Sequence, residues 1–205
     1  MPANCNFAFA GISSGPLPPR VAVTGMQQFL LTWMFLAAAG VAAAQPVEQP
    51  AIPRLSPSAF RAVPRVVRQK LQAEHCRIPQ PWPYRGVQNI VAGHFRSRSR
   101  TDYAALCSRN GVSSVLVLNG RTGAVLGELN RRPDAEYVQG VGDDVMGFSR
   151  VLERVSPSPD GFCLERGVPC PCTPAIYDGI ADVFEGKASD THCWRNGWHT
   201  VLSGY

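Results

Sequence analysis

Apolar positions change their spacing at several points along this chain, and each change predicts a different kind of element. Phe29 to Val41 (FLLTWMFLAAAGV) is an unbroken apolar run of 13 residues. A helix needs roughly 20 residues to span about 30 Å of hydrocarbon, so the run is too short to cross a membrane. Small residues at Ala42 and Ala44, ahead of Gln45, match the A-x-A pattern that signal peptidase accepts. Residues 1–44 therefore read as a signal peptide, with Met26 offering a shorter start of the same leader. Residues 45–62 carry Pro46, Pro50, Pro53 and Pro57 with little apolar content and read as a flexible, proline-rich linker.

Helical spacing follows. Val63, Val67 and Leu71, with Val66 and Ala73 beside them, fall on one face, while Arg65, Arg68, Gln69 and Gln72 lie elsewhere. The helix is predicted to begin around Pro64 and to close at Cys76, because Pro79, Pro81 and Pro83 forbid continuation. From Val87 the pattern becomes short β runs split by turn residues: Gln88–Phe95, Tyr103–Ser108, Ser113–Leu118 and Ala124–Leu129, then Tyr137–Val141 and Met146–Val155. Asn119 to Gly123 is a turn between two of these runs, and Ser156 to Pro174 is a loop rich in cysteine and proline. The chain closes on a hairpin, Asp190–Trp194 and Trp198–Ser203, about a two-residue turn at Asn196-Gly197. The fold these elements predict is α+β, one N-terminal helix packed on a mainly antiparallel sheet, in a single domain over 63–205.

Charge narrows the partners. Of the 20 basic and 15 acidic side chains only Arg20 precedes Gln45, leaving the remainder at +4. That charge is mild and dispersed, and it excludes a nucleic-acid binder, which needs a concentrated basic stripe facing phosphates. Cysteine usage agrees with export. Beyond Cys5 in the leader there are six: Cys76, Cys107, Cys163, Cys170, Cys172 and Cys193. In an oxidising compartment disulfides are the default, and six cysteines allow fifteen pairings. Cys76 at the helix end and Cys107 in the nearby first sheet are expected to pair, leaving two bridges for the C-terminal four.

Gly93-His94-Phe95 followed by Asp102-Tyr103-Ala104-Ala105-Leu106 resembles the FG-GAP/VCBS repeat of integrin-like propellers, in which an Asp follows the Phe by seven residues. The resemblance covers about residues 90–130, one repeat's worth, and implies an antiparallel, blade-like meander. In that family the intervening loop is acidic and cradles calcium. Here Arg96, Arg98 and Arg100, with His94, take those places, and guanidinium groups repel a cation. No metal is therefore implied. The C-terminal stretch from Asp178 to Trp198 resembles the tails of secreted bacterial proteins and brings no activity with it.

Four features carry candidate chemistry. Cys170-Pro171-Cys172 resembles the redox pair of some sulfhydryl oxidoreductases, which would need positive charge nearby, with Arg166 the close candidate. The structural alternative is that the two cysteines bridge different partners, Cys163 and Cys193. The same four cysteines with His192 lack ordinary zinc-ribbon spacing. His192 and His199 flank the last hairpin, where Asp178, Asp182 or Asp190 would complete an acid–base pair, but no G-x-S-x-G elbow accompanies them. Arg96-Ser97-Arg98-Ser99-Arg100 is a compact basic loop suited to an anion, such as lipopolysaccharide phosphate or another acidic envelope polymer. Trp82, Tyr84, Trp194 and Trp198 offer a platform for sugars or peptides, or ordinary packing. The sequence thus points to a periplasmic or secreted, non-catalytic binding or envelope-associated module with no cofactor and no integral span after cleavage. Its partner would be an envelope polymer or a protein ligand. The alternative is an exported enzyme, a thiol oxidoreductase on Cys170/Cys172 or a hydrolase using the C-terminal acids and histidines.

Overall fold

The structure is a computed structural model that describes residues 51–83, 86–163 and 169–204. The expected signal peptide over 1–44, Tyr84 and Arg166 lie outside the described residues. The expected α+β fold is overturned: strands take 44% of the described residues, in four sheets, and helices 11%. The described residues form a β protein with one nine-residue α-helix, because the chain beyond Phe148 folds into a second sheet of its own.

The chain opens with β1 (Arg54–Leu55), α1 (Arg65–Ala73) and β2 (Ile78–Pro79), and β1 pairs antiparallel with β2. Within the stretch read as a flexible linker, Arg54–Leu55 pair in β1, and Pro57 and Phe60 are buried. Its prolines are tolerated because β1 has only two residues and Pro57 opens a 3₁₀ turn capped by Ser56. Helix α1 ends where His75 takes φ 56°, letting the Cys76 N–H return to the Leu71 carbonyl.

The first large sheet is the antiparallel meander β3 (Ile90–Gly93), β4 (Asp102–Arg109), β5 (Val112–Asn119) and β6 (Val125–Pro133). Between β4 and β5 the two-residue loop Asn110-Gly111 has φ 53° and 77°, the positive values such a hairpin demands. Both faces of β4 and β5 are covered, which is why they read as continuous apolar runs. Ala105, Cys107, Leu116 and Leu118 share a cluster with Val67 and Leu71 of α1. Ala104, Leu106, Val115 and Val117 point the other way, toward the second sheet.

A small hairpin, β7 (Val138–Gly140) and β8 (Met146–Phe148), leads into that second sheet. Its strands are β9 (Arg150–Val155), β10 (Gly179–Phe184), β11 (Ala188–Trp194) and β12 (Trp198–Gly204), again an antiparallel meander. Phe148, Leu152 and Ile180 meet Phe95, Leu106 and Val115 between the sheets. The buried Asn89 joins the layers: its Nδ2 donates to the Pro79 and Arg150 carbonyls, and its Oδ1 accepts from the Leu152 N–H at 2.9 Å. The last hairpin turns through three residues rather than two, since Trp194 lies opposite Trp198 and only Asn196 takes positive φ. The two indoles pack edge to face, 5.5 Å apart.

Candidate functional site

Two groups of charged side chains are built by this fold, one buried and one open. The buried group sits where the sheets meet. Arg150 from β9 and Asp182 from β10 form a two-pronged pair, Nε to Oδ1 at 2.8 Å and Nη2 to Oδ2 at 2.6 Å, with both side chains essentially inaccessible. The remaining guanidinium donors reach the Ser113 hydroxyl at 2.9 Å and the Asn130 carbonyl at 2.8 Å, on the first sheet. Asn130 Nδ2 also donates to Asp182 Oδ2, and the Tyr137 ring lies 4.5 Å from the guanidinium. Burial alone would push the Asp182 carboxyl up, but the hydrogen bonds and charge of Arg150 and the neighbouring His192 hold it well below the usual carboxylate range. His192 shares a 2.8 Å hydrogen bond with Thr200 and stands 3.6 Å from Asp182. The structure thus brings His192 and Asp182 together, but wholly inside the protein, where a substrate has no access. The group is a staple between the sheets.

The other acid–base candidates stay apart. His199 Nε2 lies 3.1 Å from the Arg195 carbonyl, Asp190 faces Leu202 across the strand pair, and Asp178 Oδ2 accepts the His94 N–H at 2.7 Å. The six cysteines from Cys76 to Cys193 are all bonded: Cys76 with Cys107, Cys163 with Cys170, and Cys172 with Cys193. Cys170 and Cys172 therefore belong to different bridges, and none of the four C-terminal cysteines is a free thiolate for zinc. Among the described residues, no three His, Cys, Asp or Glu side chains are placed to hold a metal ion. Three disulfides suit an oxidising extracellular or periplasmic environment.

The open group is the arginine loop and what it leans on. The loop between β3 and β4 is closed at its base by His94 Nδ1, 3.1 Å from the Arg100 carbonyl. Arg96 lays its guanidinium over the Trp194 ring, 5.1 Å from the centroid, with Nε 3.9 Å from the buried Asp102. Arg98 Nε donates to the Ile176 carbonyl at 3.3 Å, tying the loop to the segment before β10. Arg195, on the last hairpin, donates to the Thr173 carbonyl of that same segment. Beside these ties lies a cavity of about 120 Å³, lined by Phe162, Ile176, Tyr177, Trp194, the Cys172–Cys193 bridge and Arg195. Among the described aromatic candidates, Trp194 and Trp198 come together, while Trp82 packs on Gly147 of β8.

Asp102, the first residue of β4, is buried beside Arg96. Burial pushes its carboxyl above the ordinary value, and the charges of Arg96, Arg100 and His94 only partly offset this. A raised carboxyl contributes least to stability once ionised, so the neutral isostere is favoured at pH 7. Asp102→Asn is expected to leave the neutral-pH stability within about 1 kcal/mol of the wild type or above it. Urea denaturation checks this; a loss beyond about 2 kcal/mol would show that the loop needs the charge.

No family model matches this chain, and neither does any curated protein or solved structure.

Proposed function

We propose that this chain is an exported, non-catalytic binding module whose recognition face is the cleft between the arginine loop and the 172–177 segment. The observation that carries the reading is one aromatic-walled cavity lined by Arg195, two of whose wall residues, Trp194 and Ile176, are contacted by Arg96 and Arg98. Export is supported by the apolar run ending in Ala42-Ala43-Ala44 and by the bridged cysteines. We read about residues 90–130 as one degenerate FG-GAP/VCBS-like blade. The four-stranded meander from Ile90 to Pro133 supports this, with an arginine-rich loop in place of the acidic one.

The test has two parts. Protein recovered from a bacterial periplasm is expected to start at Gln45 and to carry three bridges by mass mapping, whereas a chain starting at Met1 or Met26 with free thiols would sink the export reading. Arg96, Arg98 and Arg100 changed together to Gln are expected to weaken binding to heparin, a sulfated polymer, about tenfold or more. The control changes Arg61, Arg65 and Arg121, three exposed arginines away from the cleft, to Gln. Equal losses from the two triple variants would reduce the cleft to general surface charge.

A further inference from the structure

We infer that the cleft takes a small amphiphilic carboxylate, a carboxyl group joined to an apolar body about the size of a benzene ring. The inference rests on the binding-face reading above and narrows it to a ligand class.

Size and lining set the apolar half. A cavity of about 120 Å³ approaches the roughly 150 Å³ of an apolar cavity that accepts benzene. Its walls are Phe162, Ile176, Tyr177, Trp194 and a disulfide, with few polar atoms turned inward. A sugar ring would leave hydroxyls unpaired against such walls, and bare phosphate would leave the cavity unfilled.

Charge sets the other half. Arg195 borders the cavity, Arg98 is anchored on the carbonyl of the wall residue Ile176, and Arg96 covers the wall residue Trp194. No acidic side chain is among the lining residues. The nearest carboxylates in the loop's surroundings are buried and already engaged, Asp178 on the His94 N–H and Asp102 beside Arg96. The rim is therefore left positive, and a guanidinium fork matches a carboxylate's two oxygens. Arg98 and Arg195 are both exposed, so they have room to turn toward a ligand.

A free aromatic acid and the carboxy-terminal residue of a peptide share this chemistry. Binding is measured on the whole exported protein by tryptophan fluorescence and calorimetry with four probes: phenylacetate, N-acetylphenylalanine, N-acetylphenylalaninamide and inorganic phosphate. The expected result is saturable binding of an acid, at least tenfold weaker binding of the amide, and no competition by phosphate. Tighter binding of N-acetylphenylalanine than of phenylacetate would assign the site to a peptide terminus, and the reverse order to a free acid. Arg98→Gln and Arg195→Gln are expected to weaken the acid severalfold without moving Tm by more than a few degrees, and Ala175→Leu, which fills the cavity, to abolish binding. Acid and amide binding equally, neither binding, or Ala175→Leu binding normally would overturn the assignment. If neither probe binds while the loop arginines still govern heparin binding, the binding-face reading stands and this assignment alone falls.

Discussion

Replacing Asp182 by asparagine is expected to cost about 3–5 kcal/mol, the loss that follows when one member of a fully buried ion pair is left with an uncompensated charge. Arg150 would keep its partners on Ser113 and Asn130 but face a neutral amide that can accept only one of its two prongs. For a domain of this size the melting point should fall by roughly 10 °C or more. The pair also predicts an acid limit. Because the folded Asp182 carboxyl is held below its unfolded value, the unfolded chain binds more protons through the acid range. Its contribution is fully present above about pH 4 and is lost progressively below that. Denaturant midpoints measured from pH 7 down to pH 3 should fall more steeply for the wild type than for Asp182→Asn. The double change Arg150→Met with Asp182→Leu should be far less harmful than either charge removed alone, since an apolar pair repacks where a lone charge cannot. Additive single losses would mean that the two groups act independently.

This staple shows what the sequence carries in plain form and what it hides. Strand positions in the first meander are legible because β4 and β5 are apolar on both faces and Asn119, Gly120 and Gly123 punctuate them. The division into two sheets is not. The pattern does not announce β10: Gly179–Phe184 is short, lies next to a loop rich in proline and cysteine, and carries Asp182 at a position that alternation turns inward. Arg150 is the same case, a lone cation between Phe148 and Leu152. Two opposite charges in two apolar strands were the available signal that those strands are neighbours, but one charge alone reads as a strand end. The helix is legible as an element through Val63, Val67 and Leu71, while the overall class is not, since it depends on how much of the chain beyond Val155 becomes strand.

The candidate site is legible in part for the same reason. The arginine triplet is visible as a string of like charges, and Trp194 as part of a hairpin. That they meet, with Ile176, Tyr177 and Arg195 completing the wall, depends on where the 172–177 segment is laid down. The bridges Cys163–Cys170 and Cys172–Cys193 fix that segment, and fifteen possible pairings conceal them in the sequence.

Those bridges are not equal, and the second large effect follows from the difference. Removing Cys76 and Cys107 together, as alanines, is expected to cost about 4 kcal/mol from loop-closure entropy over 31 residues. Both side chains lie in the cluster that joins α1 to β4 and β5, so the loss should appear as global unfolding at lower denaturant. Removing Cys163 and Cys170, seven residues apart and half-buried against the small cluster of Phe162, Cys172, Cys193 and Val201, should cost only about 2 kcal/mol by the same reasoning. Its consequence should be local instead. The segment that walls the cavity would lose one of the two disulfides that flank it, and affinity for the acid probe should fall while the melting point moves little. Denaturation and binding measured side by side on the two double variants separate these roles. A Cys163/Cys170 variant that melts early but binds normally would place the bridge in the folding core and free the cleft from dependence on it.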